Sequence, residues 1–169
     1  MDLSAYSKEL QANSDHLLTL LYSIEETKLS EKPSNEWSIL EIAEHIYRAD
    51  KTFINVVTQA SEKHHDTEEI RGSNKIQRLL VDMRARKVKA PAFLEPKGKF
   101  LTVQDFEKVF LEQRTSLIEK LETETISDFT AIFPHPFLGE LTVTDWLYVI
   151  LHHTSRHAEQ INDRIKELD

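Results

Sequence analysis

His153 and His157 stand four residues apart in the last long helical stretch of the chain, and a third histidine, His45, sits far upstream in a second such stretch. A four-residue step advances an α-helix by about one turn, roughly 6 Å, and leaves two side chains about 40° apart, so both imidazoles can converge on one ion. Three neutral imidazoles from two packed helices could hold a divalent cation with one coordination position open, the pattern of a catalytic zinc site. Nickel, iron(II) and manganese accept the same ligands. The bland alternative is that these are hydrogen-bonded core histidines, since H-x-x-x-H is a common spacing. Thr154 occupies the position where a zinc peptidase would carry its general base in H-E-x-x-H, so that mechanism has no support.

Composition narrows the chemistry further. A chain of 169 residues is read as one domain, residues 1–169, long enough to bury a hydrophobic core unaided. It contains no cysteine, so it has no disulfide, thiolate ligand or cysteine nucleophile; a thiol in the reaction must arrive with a substrate. With 21 Lys and Arg against 29 Asp and Glu, a formal charge of −8 disfavours a nucleic-acid partner. The basic segment Lys75 to Lys89, with Arg78, Arg84, Arg86 and Lys87, is read as a solvated helix face and loop. No run approaches the roughly 18 apolar residues of a membrane span, and the first residues lack a signal-peptide pattern, giving an expectation of a cytoplasmic protein without a membrane partner.

The elements that must position the histidines follow from periodicity. Leu10, Leu17, Leu20, Leu21 and Ile24 mark an amphipathic helix over about residues 3 to 28, broken by Pro33-Ser34-Asn35. Ser38-Ile39-Leu40-Glu41 has the form of a capping box and opens a helix to about residue 60. An irregular stretch, Ser61 to Phe100, contains a shorter helix near residues 73 to 87; connections of that length usually cover or line something. Thr102-Val103-Gln104-Asp105 and Thr142-Val143-Thr144-Asp145 look like two further boxes, starting helices to about residues 122 and 168. Between those helices, Phe133-Pro134-His135-Pro136-Phe137-Leu138-Gly139 reads as a tight apolar connection turning at Gly139. The fold class is all-α: a four-helix bundle with an extra short helix in a connection.

Position on the helical stripes sorts the eight histidines. His45 lies between Ile42 and Ala49 on an inward face; His157 lies between Ile150 and Ile161; His153 borders the same stripe. His152 points about 100° away from His153 and is read as a surface or interface residue. His64-His65 falls in an exposed polar loop and His16 on a solvent face, while His135, between two prolines, either lines the pocket mouth or sits in a rigid turn. Glu41, one turn before His45, could orient an imidazole, although the capping box already explains it. Arg156 and Gln160 could meet a substrate or face solvent, and Tyr47 could be a polar group at the cavity or a packing residue. Trp37 and Trp146 are read as core anchors at one end of the bundle.

The strings Trp37-Ser38-Ile39-Leu40-Glu41-Ile42-Ala43-Glu44-His45-Ile46, Gly139-Glu140-Leu141-Thr142 and His152-His153-Thr154-Ser155-Arg156-His157-Ala158-Glu159-Gln160-Ile161 resemble the DinB/YfiT-like superfamily over nearly the whole chain. The resemblance implies an up-down-down-up bundle with a long crossover and a three-histidine metal site whose ligands fall on His45, His153 and His157. It also implies a homodimer, for which the sequence itself offers Phe110 and Val57 as apolar residues off the core stripe. Relatives resemble S-transferases and isomerases that use bacillithiol or mycothiol, or metal-dependent hydrolases. The expectation is therefore an enzyme in which Zn²⁺ or Ni²⁺ activates a low-molecular-mass thiol for transfer to an electrophilic small molecule. The alternatives are hydrolysis by bound water and a non-catalytic, stress-related binding or scaffold protein. No general base is assigned; Glu41, Tyr47, His135, Arg156 and Gln160 are the candidates for supporting the ligands or meeting substrate.

Overall fold

The computed structural model describes residues 1–33, 36–85 and 88–168. Ser34, Asn35, Arg86, Lys87 and Asp169 lie outside the described residues, and with them part of the expected break after the first helix and of the basic segment. Four long helices dominate: α1 (Leu3–Tyr22), α3 (Ile39–Val57), α5 (Val103–Glu122) and α6 (Val143–Leu168). Two short ones accompany them, α2 (Glu26–Leu29) and α4 (Ser73–Gln77).

Helix starts follow local side-chain chemistry. Ser38 accepts from the Glu41 N–H while the Glu41 carboxylate accepts from the Ser38 N–H, the reciprocal capping box expected there. Thr102 caps α5 by accepting from Asp105 N, and at α6 Thr142 Oγ1 accepts from Asp145 N. The first helix stops at Tyr22 rather than near residue 28, because both the N–H and the hydroxyl of Ser23 turn back onto the last helical carbonyls. The helix expected over 73 to 87 is likewise shorter: α4 passes into a π-helical turn, Arg78–Asp82, and ends at Met83.

The apolar connection before α6 is an antiparallel hairpin, β1 (Ile132–His135) with β2 (Gly139–Thr142), in which His135 faces Gly139. Pro134 hid it: a proline inside a four-residue run argues against a strand unless that strand lies at an edge, as β1 does in this two-stranded sheet. Gly139, at φ 77°, takes the left-handed conformation that the turn requires.

Packing fixes the topology. One apolar cluster joins Tyr6 and Leu10 of α1, Phe53 and Val57 of α3, Leu117 and Leu121 of α5, and Leu147 and Leu151 of α6. The other joins Leu17 and Leu21, Ile39 to Ile46, Phe106 and Phe110, and Ala158 and Ile161. Thus α1 and α6 run one way and α3 and α5 the other, the up-down-down-up order, with the long crossover returning the chain between α3 and α5. Helices α3 and α6 are neighbours, which places His45 opposite His153 and His157. Phe110 and Val57 are both buried, so neither offers the exposed apolar surface a dimer was expected to use. Trp37 and Trp146 pack against different clusters rather than anchoring one end together.

Between the two clusters lies a polar layer with one member from each long helix. Buried Arg114 of α5 donates from Nε to Asp50 Oδ2 of α3 at 2.8 Å, from Nη2 to Thr154 Oγ1 of α6 at 2.6 Å and from Nη1 to Asn13 Oδ1 of α1 at 3.3 Å.

Candidate metal centre

His45, His153 and His157 converge across the α3–α6 seam, with one ring nitrogen from each lying within 4.8 Å of the others. His45 and His157 are buried and His153 is half-buried. The rings pack tilted or edge-on, with centroids 5.1 Å apart for His45–His153, 4.7 Å for His45–His157 and 4.4 Å for His153–His157.

The outer nitrogens set the tautomers. His45 Nδ1 donates to the Leu94 carbonyl at 3.0 Å, and His157 Nδ1 donates to Gln160 Oε1 at 2.7 Å. Each bond fixes the proton on Nδ1 and leaves the Nε2 lone pair for the interior of the cluster, the usual arrangement around a metal-ligating imidazole. His153 Nε2 stands 3.1 Å from His157 Nε2. Ligands on bonds of 2.0–2.1 Å in a tetrahedral zinc site are spaced by about 3.3 Å, so this pair is close to a metal-ready separation.

Electrostatics keeps the rings neutral. Burial lowers the pKa of all three, His157 to about 3 and His153 well below the usual imidazole value of 6.5, and the neighbouring imidazoles reinforce the shift in both. Arg156 lowers all three as well, and Arg48 lowers His45; no carboxylate is among the groups that shift them. Neutral imidazole is the form that binds a cation, and a cation placed here would meet no anionic protein ligand. His153 Nδ1 is buried and has no hydrogen-bond partner among the described residues. The donor set therefore fits a divalent metal.

The crossover builds the wall behind this cluster. Buried Glu44 accepts from the N–H groups of Lys97 and Lys99, both at 2.8 Å, and Arg48 donates to the Phe93 carbonyl at 2.8 Å. Those bonds hold a 3₁₀ turn, Ala92–Leu94, where the Leu94 carbonyl meets His45. At the other end, Asp145 accepts from Ile70, Arg71 and Gly72 N–H groups at 2.8–3.2 Å, and Ser73 Oγ lies 2.9 Å from His152 Nε2.

The remaining candidates are distributed unevenly. Gln160 touches the cluster directly through His157. Arg156 acts on it electrostatically, while its guanidinium donates to the Leu80 and Arg84 carbonyls at 2.7 and 3.3 Å. Glu41 is occupied by the capping box and by Lys32. Tyr47 packs edge-on against Phe100 with Lys99 over its ring, and none of its ring contacts is with the three histidines. His135 packs 4.9 Å from Trp146 and 6.4 Å from Phe53, whose ring meets His153 edge-on at 5.4 Å. Sequence reasoning missed Leu94, because a backbone carbonyl carries no residue signature, and Glu44, whose place on the buried face of α3 was the available signal.

A four-helix bundle with three neutral imidazoles gathered between two of its helices belongs to the class of proteins that can hold a metal inside a helical scaffold. The model of the DinB superfamily matches residues 9–161, and the chain belongs to that family. An uncharacterized protein of Bacillus subtilis strain 168, YuaE, is 36% identical over 151 residues, covering 87% of this chain and 88% of its own. Among solved structures, TT2238, a four-helix bundle protein, aligns over 95% of this chain and 98% of its own with a TM-score of 0.58 and 21% identity, a likeness of fold.

Proposed function

We propose that this protein is a metal-dependent enzyme in which His45, His153 and His157 ligate Zn²⁺ or Ni²⁺ and a low-molecular-mass thiol is activated for transfer to an electrophilic small molecule. The observation that carries this reading is the convergence of three neutral imidazoles with no carboxylate among them. A divalent cation held by neutral ligands alone keeps its full charge and, when bound, lowers the pKa of a thiol or water at its open position.

The protein's own groups favour the thiol. Hydrolysis gains from a carboxylate free to take a proton from water, yet Glu41 is tied into its cap, Glu44 into the crossover and Asp50 to Arg114. A thiol needs no such base, because its proton leaves to solvent once its pKa is lowered. The sulfur then forms a bond to the electrophilic carbon as the bond to the leaving group breaks with its electron pair. No redox partner is required. Gln160 and the Leu94 carbonyl hold two imidazoles in orientation, while burial and Arg156 oppose their protonation.

The test is conjugation of 1-chloro-2,4-dinitrobenzene by zinc- or nickel-loaded, untagged protein with and without an added thiol. The expected result is thiol-dependent product formation that disappears in His153→Ala. Unchanged turnover of ester or amide substrates without any thiol would replace transfer with hydrolysis. No turnover of any substrate by fully metal-loaded protein would leave a binding role.

A further inference from the structure

Glu44 precedes His45 on α3, and one residue turns an α-helix by about 100°, so the two side chains leave the helix in different directions. Glu44 is 1% exposed, a degree of burial that a carboxylate tolerates only when it is paired and hydrogen-bonded. Both conditions are met by the crossover and by the next helical turn. Its two oxygens accept from Lys97 N–H and Lys99 N–H, each at 2.8 Å, and Arg48 stands 3.7 Å away while donating to the Phe93 carbonyl at 2.8 Å.

A short, stiff length of chain joins that clamp to the histidine cluster. Only Glu95 and Pro96 separate Lys97 from Leu94. Pro96 fixes its own φ, and Glu95, restricted as a residue before proline is, lies extended at φ −65° and ψ 138°. On the other side, Leu94 N–H closes the 3₁₀ turn on the Pro91 carbonyl at 2.8 Å. The Leu94 carbonyl is thus held between a closed turn and the Glu44 clamp, and it accepts from His45 Nδ1 at 3.0 Å. A carbonyl can only accept, so this bond keeps the His45 proton on Nδ1 and the Nε2 lone pair free for a cation. Little apolar burial competes with these ties: among the described residues from 78 to 99, Leu94 alone is buried. A segment docked by polar ties rather than by core packing opens locally at low cost.

We infer that the crossover is a working part of the metal centre: Glu44 is a positioning residue that acts through Lys97, Lys99 and the Leu94 carbonyl on His45, so that metal binding and crossover docking strengthen each other. This rests on the metal reading above and concerns only the chain's own groups. The His45 ring, once coordinated at Nε2, is a stronger donor from Nδ1 and holds Leu94 more firmly. The docked crossover in turn holds the ring in its metal-binding tautomer, and linkage requires the two effects to be equal in size.

The test follows hydrogen exchange at the Lys97 and Lys99 amides in untagged protein with and without Zn²⁺, while competition with a chromophoric chelator reads zinc affinity. In wild type, zinc is expected to slow exchange at both amides by about tenfold or more, the scale on which partners of a ligating imidazole act. Glu44→Gln keeps the size of the side chain, but its single amide oxygen replaces two acceptors; it is expected to weaken zinc binding about tenfold or more and to abolish the zinc-dependent slowing. Pro96→Gly leaves every polar partner in place and loosens the link alone, for an expected loss of about two- to fivefold in affinity. Exchange that zinc leaves unchanged in wild type holding one ion per chain overturns the inference without recourse to any variant. Undiminished affinity in Glu44→Gln does so as well, as does a loss in Glu44→Gln that Pro96→Gly does not share, since that would trace to the carboxylate's charge. Wild type that retains no zinc would remove the metal centre itself, and the inference with it.

Discussion

The Asp50–Arg114 layer and the histidine cluster both draw on α3 and α6, yet their polar atoms are satisfied in opposite ways. In the layer, Arg114 distributes its donors over Asp50, Thr154 and Asn13, so each long helix answers another and the chain supplies nearly every partner. In the cluster, the outer nitrogens of His45 and His157 are bonded, His157 Nε2 meets His153 Nε2 at 3.1 Å, and His153 Nδ1 has no partner among the described residues. Burial of polar groups is costly in both places. The layer offsets part of that cost within the fold, leaving Asp50 Oδ1 without a partner among the described residues, and contributes to specifying how four helices align; the cluster leaves an arrangement that a cation would complete.

Breaking the layer has the largest expected effect on stability. Arg114→Met leaves the Asp50 carboxylate buried without its cation, a change of the kind that costs about 3–5 kcal/mol. Urea unfolding of the metal-free protein measures it, and Asp50→Leu with Arg114→Met together is expected to recover most of the loss. A cost below about 1 kcal/mol for Arg114→Met would show that the layer is not closed in the way described.

The two regions also titrate with opposite sign. Folding lowers the His157 pKa from 6.5 to about 3, so as pH falls the unfolded chain takes up protons first; the cluster's contribution is present above about 6.5 and is lost towards 3. Burial raises Asp50 from 3.8 to about 6 despite Arg114, so its contribution is present below 3.8 and is lost as pH rises through about 6. Urea midpoints of metal-free protein between pH 7.5 and 4.5 are expected to fall less steeply in His153→Gln than in wild type, and to fall more steeply in Asp50→Asn. Parallel curves in all three would remove the contrast.

A smaller effect sharpens the cluster alone. Gln160→Ala deletes the acceptor that orients His157 and is expected to weaken metal binding by about 10–100-fold while leaving the urea midpoint of the metal-free protein nearly unchanged. Competition with a chromophoric chelator reads the first quantity. An unchanged affinity would mean that Gln160 does not orient the ring.

The two regions were not equally legible in the sequence. His45, His153 and His157 could be aimed inward because helical periodicity is local, and the three capping motifs at Ser38, Thr102 and Thr142 are local as well. Asp50 and Arg114 each interrupt an apolar stripe, which marks them as buried, but their pairing joins residues 64 apart and no periodicity encodes it. The hairpin was hidden by Pro134, and the end of α1 by the two bonds that Ser23 makes back to its helix. The Leu94 carbonyl reaches His45 only because Glu44 ties down the crossover beyond it. What could be read were faces of helices; what could not were contacts made across the bundle and by backbone atoms.

Metal stoichiometry tests the central claim most directly. Protein purified without a polyhistidine tag, reconstituted with Zn²⁺ or Ni²⁺ and dialysed, is expected to retain about one ion per chain by elemental analysis, and His157→Ala is expected to lose it. Fewer than about one ion per three chains, or undiminished metal in His157→Ala, would contradict a metal centre at His45, His153 and His157.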